Sequence, residues 1–240
     1  MVDEVTSIVR QWDRPRYLAM LFAPDGERSA LMALHAFNAE VCRIPLIVSD
    51  PQVGLIRLQW WRDTIEAIGK GEIQAHPVAM ALSEAMSLHH LPLQPLLDLV
   101  DAHEHDLYAG LMPDVLSLEE YLGKTSSALI QLAAMILDPA SSPTVAEAAG
   151  YAGVAYGLAQ IVNDPKRHAN LIPPSESPAS LAERARKRLS EARAVQVPMQ
   201  LLPAFLHISL TELFLAKPGK VPSPWRMQWR LWRAARREAF

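Results

Sequence analysis

The chain has 240 residues, half of them hydrophobic, and a formal net charge of −3. That length predicts one large domain, residues 1–240, with ample apolar material for a core, and the near-balanced charge gives no whole-chain case for nucleic-acid binding. Cys42 is the single cysteine; this excludes an intramolecular disulfide and a multi-cysteine zinc site, and its apolar helical surroundings read as those of a buried small hydrophobe.

The N-terminal stretch MVDEVTSIVRQWDRPR places Asp3 and Glu4 before any apolar run. A secretory leader needs a basic start and then roughly 7–15 apolar residues, so none is expected. No segment approaches about 20 uninterrupted apolar residues, so no transmembrane helix is expected. Strand signals are nearly absent: Val and Ile are scattered among Ala, Leu and Met, and no Asn-Gly or Asp-Gly joins two alternating runs. The 19 prolines and 10 glycines instead punctuate segments of helical period, which predicts an all-α fold.

In chain order, short helices are expected over Val2–Gln11 and Pro15–Phe22. Asp25 is a candidate N-cap for a helix from Gly26 to about Val48, with Leu31, Leu34, Phe37, Val41 and Ile44 at helical spacing. Pro45 should kink or end it, having no N–H and crowding the preceding turn. Pro51 opens the next helix, which closes at Gly69 and Gly71. Helices follow over Pro77–His90 and Leu93–Tyr108. Ser117-Leu-Glu-Glu has the form of a capping box for a helix to Leu137, and Thr144-Val-Ala-Glu for one from Val145 to about Asn163. Pro165 breaks the latter. A Pro/Ser loop over Asn170–Ser180 precedes a basic amphipathic helix, Leu181–Val195. An apolar stretch, Pro198–Ala216, and a linker, Lys217–Pro224, then lead to a last helix, Trp225–Phe240, so that residues 222–240 form a basic, Trp-rich C-terminal element.

Three clusters could carry chemistry. Asp98, Asp101 and His105 lie at i, i+3 and i+7 and share one helix face, where carboxylate and imidazole could bind a metal or act as acid and base. The plainer reading is a solvated polar face. Asp164 stands beside Lys166, Arg167 and His168 at a helix end; these could order a phosphate, or the cations could merely complement the helix dipole. Trp225, Trp229 and Trp232 recur at i, i+4 and i+7 among Arg226, Arg230, Arg233, Arg236 and Arg237. A basic helix with a Trp stripe suits an anionic membrane surface or a partner groove, and equally a terminal helix laying its rings on the core.

The succession ALMALHAF, LQWWRDTIEAI, HPVAMAL, LLDLVDAHEHDL, LEEYLGKTSSALIQL and GLAQIVNDPKRHANLIPP, covering about Asp13 to Pro174, resembles the squalene/phytoene synthase family. The resemblance implies an isoprenoid-synthase-type helical bundle around a central cavity. It also implies head-to-head joining of prenyl diphosphates with magnesium held by two Asp-rich motifs. Carboxylates at i and i+4 on one helix face would bind the ion, which neutralises the leaving diphosphate. Here the first motif's aspartate positions hold Cys42, Arg43 and Leu46, and the one nearby acid, Glu40, is placed to pair with Arg43. In the second motif Asp164 is kept, while Arg167 and His168 replace the next two acids and reverse the charge.

Ala36-Phe37-Asn38-Ala39-Glu40, the Gly54–Gln59 run and Pro203–Leu206 are closer to the branch of that family associated with assembly of respiratory complex I. This resemblance implies a protein without catalytic residues, without a metal or other cofactor, cytoplasmic and peripheral to the inner face of the membrane. Its partners would be the membrane surface and a complex I subunit or assembly intermediate, with an isoprenoid or lipid in the cavity and no nucleic acid. The contacts expected to carry the role are Trp225, Trp229, Arg230, Trp232, Arg233, Arg236 and Arg237. The alternative is a prenyl-diphosphate transferase using Asp98, Asp101 and Asp164 with magnesium.

Overall fold

Proline positions organise the helices. In the computed structural model, which describes residues 2–108, 110–220 and 222–240, Pro15, Pro45, Pro51, Pro77, Pro178, Pro203 and Pro224 each sit in the first two positions of a helix. There the missing N–H is one the helix would leave unpaired anyway. No strand occurs among the described residues, and the all-α expectation holds. The chain packs as two compact units, residues 1–109 and 110–240.

The first unit contains α1 (Val2–Trp12), α2 (Arg14–Met20), α3 (Asp25–Cys42), α4 (Ile44–Ile47), α5 (Pro51–Gly69), α6 (Pro77–His89) and α7 (Leu93–Ala102), the last running into a 3₁₀ turn, His103–Leu107. Helix α3 is its centre, buried at every residue from Ala30 to Val41 and packed by α1, α2 and α6. It starts one residue earlier than expected. Pro24 precedes it without a side-chain cap, and Asp25 lies inside the first turn, paired with Arg28 at 2.8 Å. Pro45 acts as its chemistry requires: α3 stops at Cys42 and the chain restarts as the single turn α4. Asp50 caps α5 by accepting from the Gln52 N–H at 2.9 Å. Gly54 of α5 admits the 3₁₀ turn, since a Cβ there would lie 2.4 Å from a Leu107 methyl.

The second unit contains α8 (Val115–Leu122), a π turn (Gly123–Ser127), α9 (Ala128–Leu137), α10 (Ala146–Asn163), α11 (Pro178–Ala194), α12 (Leu202–Phe205), α13 (Thr211–Ala216) and α14 (Pro224–Arg236). Two of the expected caps are replaced. Asp114 caps α8 by accepting from the Ser117 N–H at 2.8 Å, so Ser117 falls in the third helical position. Pro143 sets a 3₁₀ turn over Ser142–Val145, α10 begins only at Ala146, and the Thr144 hydroxyl donates to the Ser141 carbonyl at 2.7 Å. The basic helix α11 also starts earlier than expected, at a Ser177/Ser180 capping box.

Helix α10 is central here, packed by α8, the π turn, α9, α11 and α13. Met199–Ala216 is apolar enough, at a mean hydropathy of 1.4, to cross a membrane by length and composition alone. Yet 72% of it is buried within the protein, and it is folded as short pieces around α12 and α13 rather than as one continuous α-helix. This is the arrangement of a core segment.

Two buried features give predictions. A Cβ on Gly153 of α10 would meet the Ser127 backbone at 2.4 Å; Gly153→Ala is expected to destabilise the fold by about 1–3 kcal/mol in urea unfolding, as overpacking does. His35 in α3 is fully enclosed with no hydrogen-bond partner on either ring nitrogen. Burial, reinforced by the Arg16 charge and opposed by Asp13, lowers its pKa to about 3. The unfolded chain therefore binds a proton below about pH 6.5 that the folded chain refuses until about pH 3. The stability contribution is complete above pH 6.5 and declines as pH falls through that window, by up to about 1.4 kcal/mol per pH unit. His35→Leu should flatten that slope in chemical denaturation measured between pH 4 and 7.

Candidate functional site

The first motif lies at the break between α3 and α4. Glu40 is buried in the last turn of α3, and its carboxylate accepts from the Arg43 guanidinium at 2.7 Å, the pairing that the i, i+3 spacing predicts. The other side of that guanidinium lies 5.8 Å from the Trp12 ring centroid, within cation–π range. Leu46 is exposed on α4. Glu40 is thus paired within the fold, and the motif positions that follow it in the chain carry a thiol at Cys42, a guanidinium at Arg43 and an alkyl chain at Leu46. Magnesium requires hard oxygen ligands in a near-octahedral set, and this donor set does not fit it.

Cys42 closes α3, half-buried. Its Sγ lies 3.4 Å from Nε2 of His103 and 3.5 Å from Oδ1 of Asn38. His103 is buried, with Nδ1 2.6 Å from an Asp106 carboxylate oxygen. Burial opposes the charged imidazole, but the Cys42 charge and the Asp106 and Cys42 hydrogen bonds outweigh it and raise the His103 pKa to about 10. The sequence reading singled out Asp98, Asp101 and His105 and passed over His103. Its partner is 61 residues away, beyond the reach of helical spacing.

The Asp98–Asp101–His105 set does not lie on one continuous α-helix: α7 ends at Ala102, and His105 falls in the 3₁₀ turn that follows. Asp98 accepts from the Gln94 amide at 2.7 Å, and Asp101 from Arg62 of α5 at 2.5 Å. Both carboxylates serve local attachment.

In the second unit, Asp164 follows the last residue of α10, exposed, and accepts from the Arg167 N–H at 3.2 Å. It fixes the turn that ends the helix. Arg167 is exposed and His168 half-buried. Among the described residues no group of three or more His, Cys, Asp or Glu is placed to hold a metal ion.

The Trp stripe of α14 faces outward. Met227, Leu231 and Ala234 are the buried positions of the helix, while Trp225, Trp229 and Trp232 are 82%, 62% and 43% exposed. Trp229 and Trp232 stack at 5.2 Å, and Arg236 lies 4.9 Å above Trp232. Arg230 turns inward, donating to the Ser209 carbonyl at 3.1 Å and pairing with Glu212. Glu212 also pairs with Arg193 at 2.8 Å. Arg233, Arg236 and Arg237 are exposed.

The family model for squalene/phytoene synthase matches residues 9–172. The chain belongs to the squalene/phytoene synthase family. A crystal structure of a dehydrosqualene synthase in complex with ligand has the same fold, with a TM-score of 0.78 and 17% identity over 98% of this chain and 95% of that one. The squalene synthase HpnC from Alicyclobacillus acidocaldarius superposes with a TM-score of 0.70 and 16% identity, covering 100% of this chain and 95% of its own. These likenesses establish the isoprenoid-synthase fold. Among curated family members, the Homo sapiens protein named NADH dehydrogenase (ubiquinone) complex I, assembly factor 6 is 35% identical over 54% of this chain, a match spanning only 39% of that relative's length. The Rattus norvegicus protein of the same name is 28% identical over 89% of this chain and 72% of its own.

The Glu40–Arg43 pair gives a direct test of the neutralised motif. Arg43→Met should cost about 1–3 kcal/mol in urea unfolding by leaving a buried carboxylate without its partner, and adding Glu40→Gln should recover much of that loss.

Proposed function

We propose that the chain is a non-catalytic member of the family that acts in building respiratory complex I, working from the cytoplasmic side at a membrane surface. The observation that carries the assembly role is the similarity to relatives named complex I assembly factor 6, which in the rat protein extends over 89% of this chain. Its partner is then a complex I subunit or an assembly intermediate. Deleting the gene in its host should lower assembled complex I on native gels, and the intact chain should restore it. Unchanged complex I in the deletion strain would sink the proposal.

The loss of catalysis rests on charge. Diphosphate departure needs cations gathered by carboxylates. Glu40 is already neutralised by Arg43, and Asp164 holds a turn beside Arg167. With magnesium and farnesyl or geranylgeranyl diphosphate, no diphosphate release is expected. Aspartates restored at Cys42 and Leu46 should not create activity while Arg167 and His168 oppose a second cation. Magnesium-dependent turnover by the unaltered chain would reverse this reading.

Membrane attachment is supported by the three exposed rings of α14 and the exposed Arg226, Arg233, Arg236 and Arg237 beside them. Rings of this kind settle at the headgroup boundary, and each Arg near an anionic leaflet adds about 1 kcal/mol of attraction that salt screens. Removing α14 would also strip Met227, Leu231 and Ala234 from the core, so point substitution is the cleaner test. The triple variant Trp225→Ala, Trp229→Ala, Trp232→Ala should lose most of its sedimentation with anionic vesicles while keeping its helicity and nearly its melting temperature. Equal binding by the variant and the parent would remove the membrane from the proposal.

A further inference from the structure

Cys42, His103 and Asp106 are arranged as a nucleophile, its base and the group that orients the base. Asp106 faces Nδ1 at 2.6 Å, which leaves Nε2 aimed at the thiol 3.4 Å away. Such a relay is recognised by geometry and roles rather than by sequence position. His103 is locked by burial, whereas Cys42 as a residue is only partly buried.

We propose that Cys42 is a reactive thiol, served by His103 with Asp106 as positioning residue, that exchanges with small disulfides of the glutathione class. The proton of Sγ passes to Nε2 of His103. The Cys42 thiolate then attacks one sulfur of the disulfide, a new S–S bond forms to Cys42, and the original S–S bond breaks. The departing thiolate leaves into solvent and is protonated from water, while His103 keeps the proton taken from Sγ. One thiol and one disulfide enter, and one thiol and one disulfide leave, with no further oxidant. Because this chain has no second cysteine, the mixed disulfide cannot be resolved within it and persists until an external thiol reverses the exchange.

Nε2 of His103 stands 3.4 Å from Sγ, a contact of the length a base and its nucleophile show before a reactant is bound. The Sγ–H also faces Oδ1 of Asn38, which accepts it at 3.5 Å. The inference rests on this geometry alone and is independent of any role in complex I assembly.

The test uses the full chain and oxidised glutathione at neutral pH, with the glutathionyl adduct followed by intact mass spectrometry. The reference is the same protein unfolded in urea, where Cys42 is an ordinary exposed thiol. Native Cys42 is expected to react about tenfold or more faster than the unfolded chain, the scale of activation seen for thiols held beside a cation. Asp106→Asn and His103→Gln should remove most of that advantage, and Cys42→Ser should form no adduct. A native rate equal to or below the unfolded rate would overturn the proposal, and that comparison stands even if the His103 variant fails to fold. Folded Asp106 and His103 variants reacting as fast as the parent would also overturn it. So would rapid alkylation by iodoacetamide without a glutathionyl adduct, which would remove the disulfide assignment.

Discussion

Backbone meets backbone where Gly153 of α10 faces Ser127, and the second unit is arranged around that approach. A methyl on Gly153 would sit 2.4 Å from Ser127 main-chain atoms, so the π turn between α8 and α9 can close on α10 only because no Cβ intervenes. The Ser127 hydroxyl donates to the Gly150 carbonyl at 2.9 Å, tying the turn to the same helix. One turn further on, Gly157 leaves room for the Leu122 side chain. These contacts fix where α10 lies, and therefore where its far end delivers Asp164. There the Gly219 N–H donates to the Asn163 carbonyl at 2.7 Å, pinning the linker that leads to α14 against the end of α10. The motif and the Trp-bearing helix are held by the same small-residue packing.

The charges in the two motif segments are paired locally. Clustered carboxylates repel one another unless a cation lies between them, and a buried one without a partner carries a large desolvation cost. In this chain Arg43 is the cation paired with Glu40, and the Arg167 N–H donates to Asp164. Each of these carboxylates finds its partner within its own segment.

What was legible in the sequence follows the range of each interaction. The prolines, the break at Pro45 and the Glu40–Arg43 pair are local, and local spacing revealed them. The caps were misplaced where a better or earlier signal competed: Asp114 precedes Ser117, and Pro143 imposes a 3₁₀ turn ahead of Thr144. The meeting of Cys42 with His103 joins two helix ends far apart in the chain, and no periodicity encodes it. The same residue that completes this contact begins the 3₁₀ turn that takes His105 off helix α7. A helical spacing argument holds only while the residues remain in one helix.

The orientation of α14 shows a different limit. It carries two apolar stripes, Met227–Leu231–Ala234 and Trp225–Trp229–Trp232, and both obey helical spacing. Burying the Trp stripe would remove more apolar area from water, which by transfer energy alone favours it as the core face. The fold chooses the smaller stripe. Arg230 accounts for the choice: it reaches Ser209 and Glu212, and Glu212 is bound in turn to Arg193 of α11. A half-turn rotation of α14 would bury the Trp rings but carry Arg230 away from Glu212, leaving the carboxylate with one partner fewer, and would drive the neighbouring Arg side chains toward the core. The desolvation of those cations exceeds the gain from three rings. Charge, not hydrophobic area, therefore decides which face of the last helix is presented to the surroundings, and it presents the aromatic one.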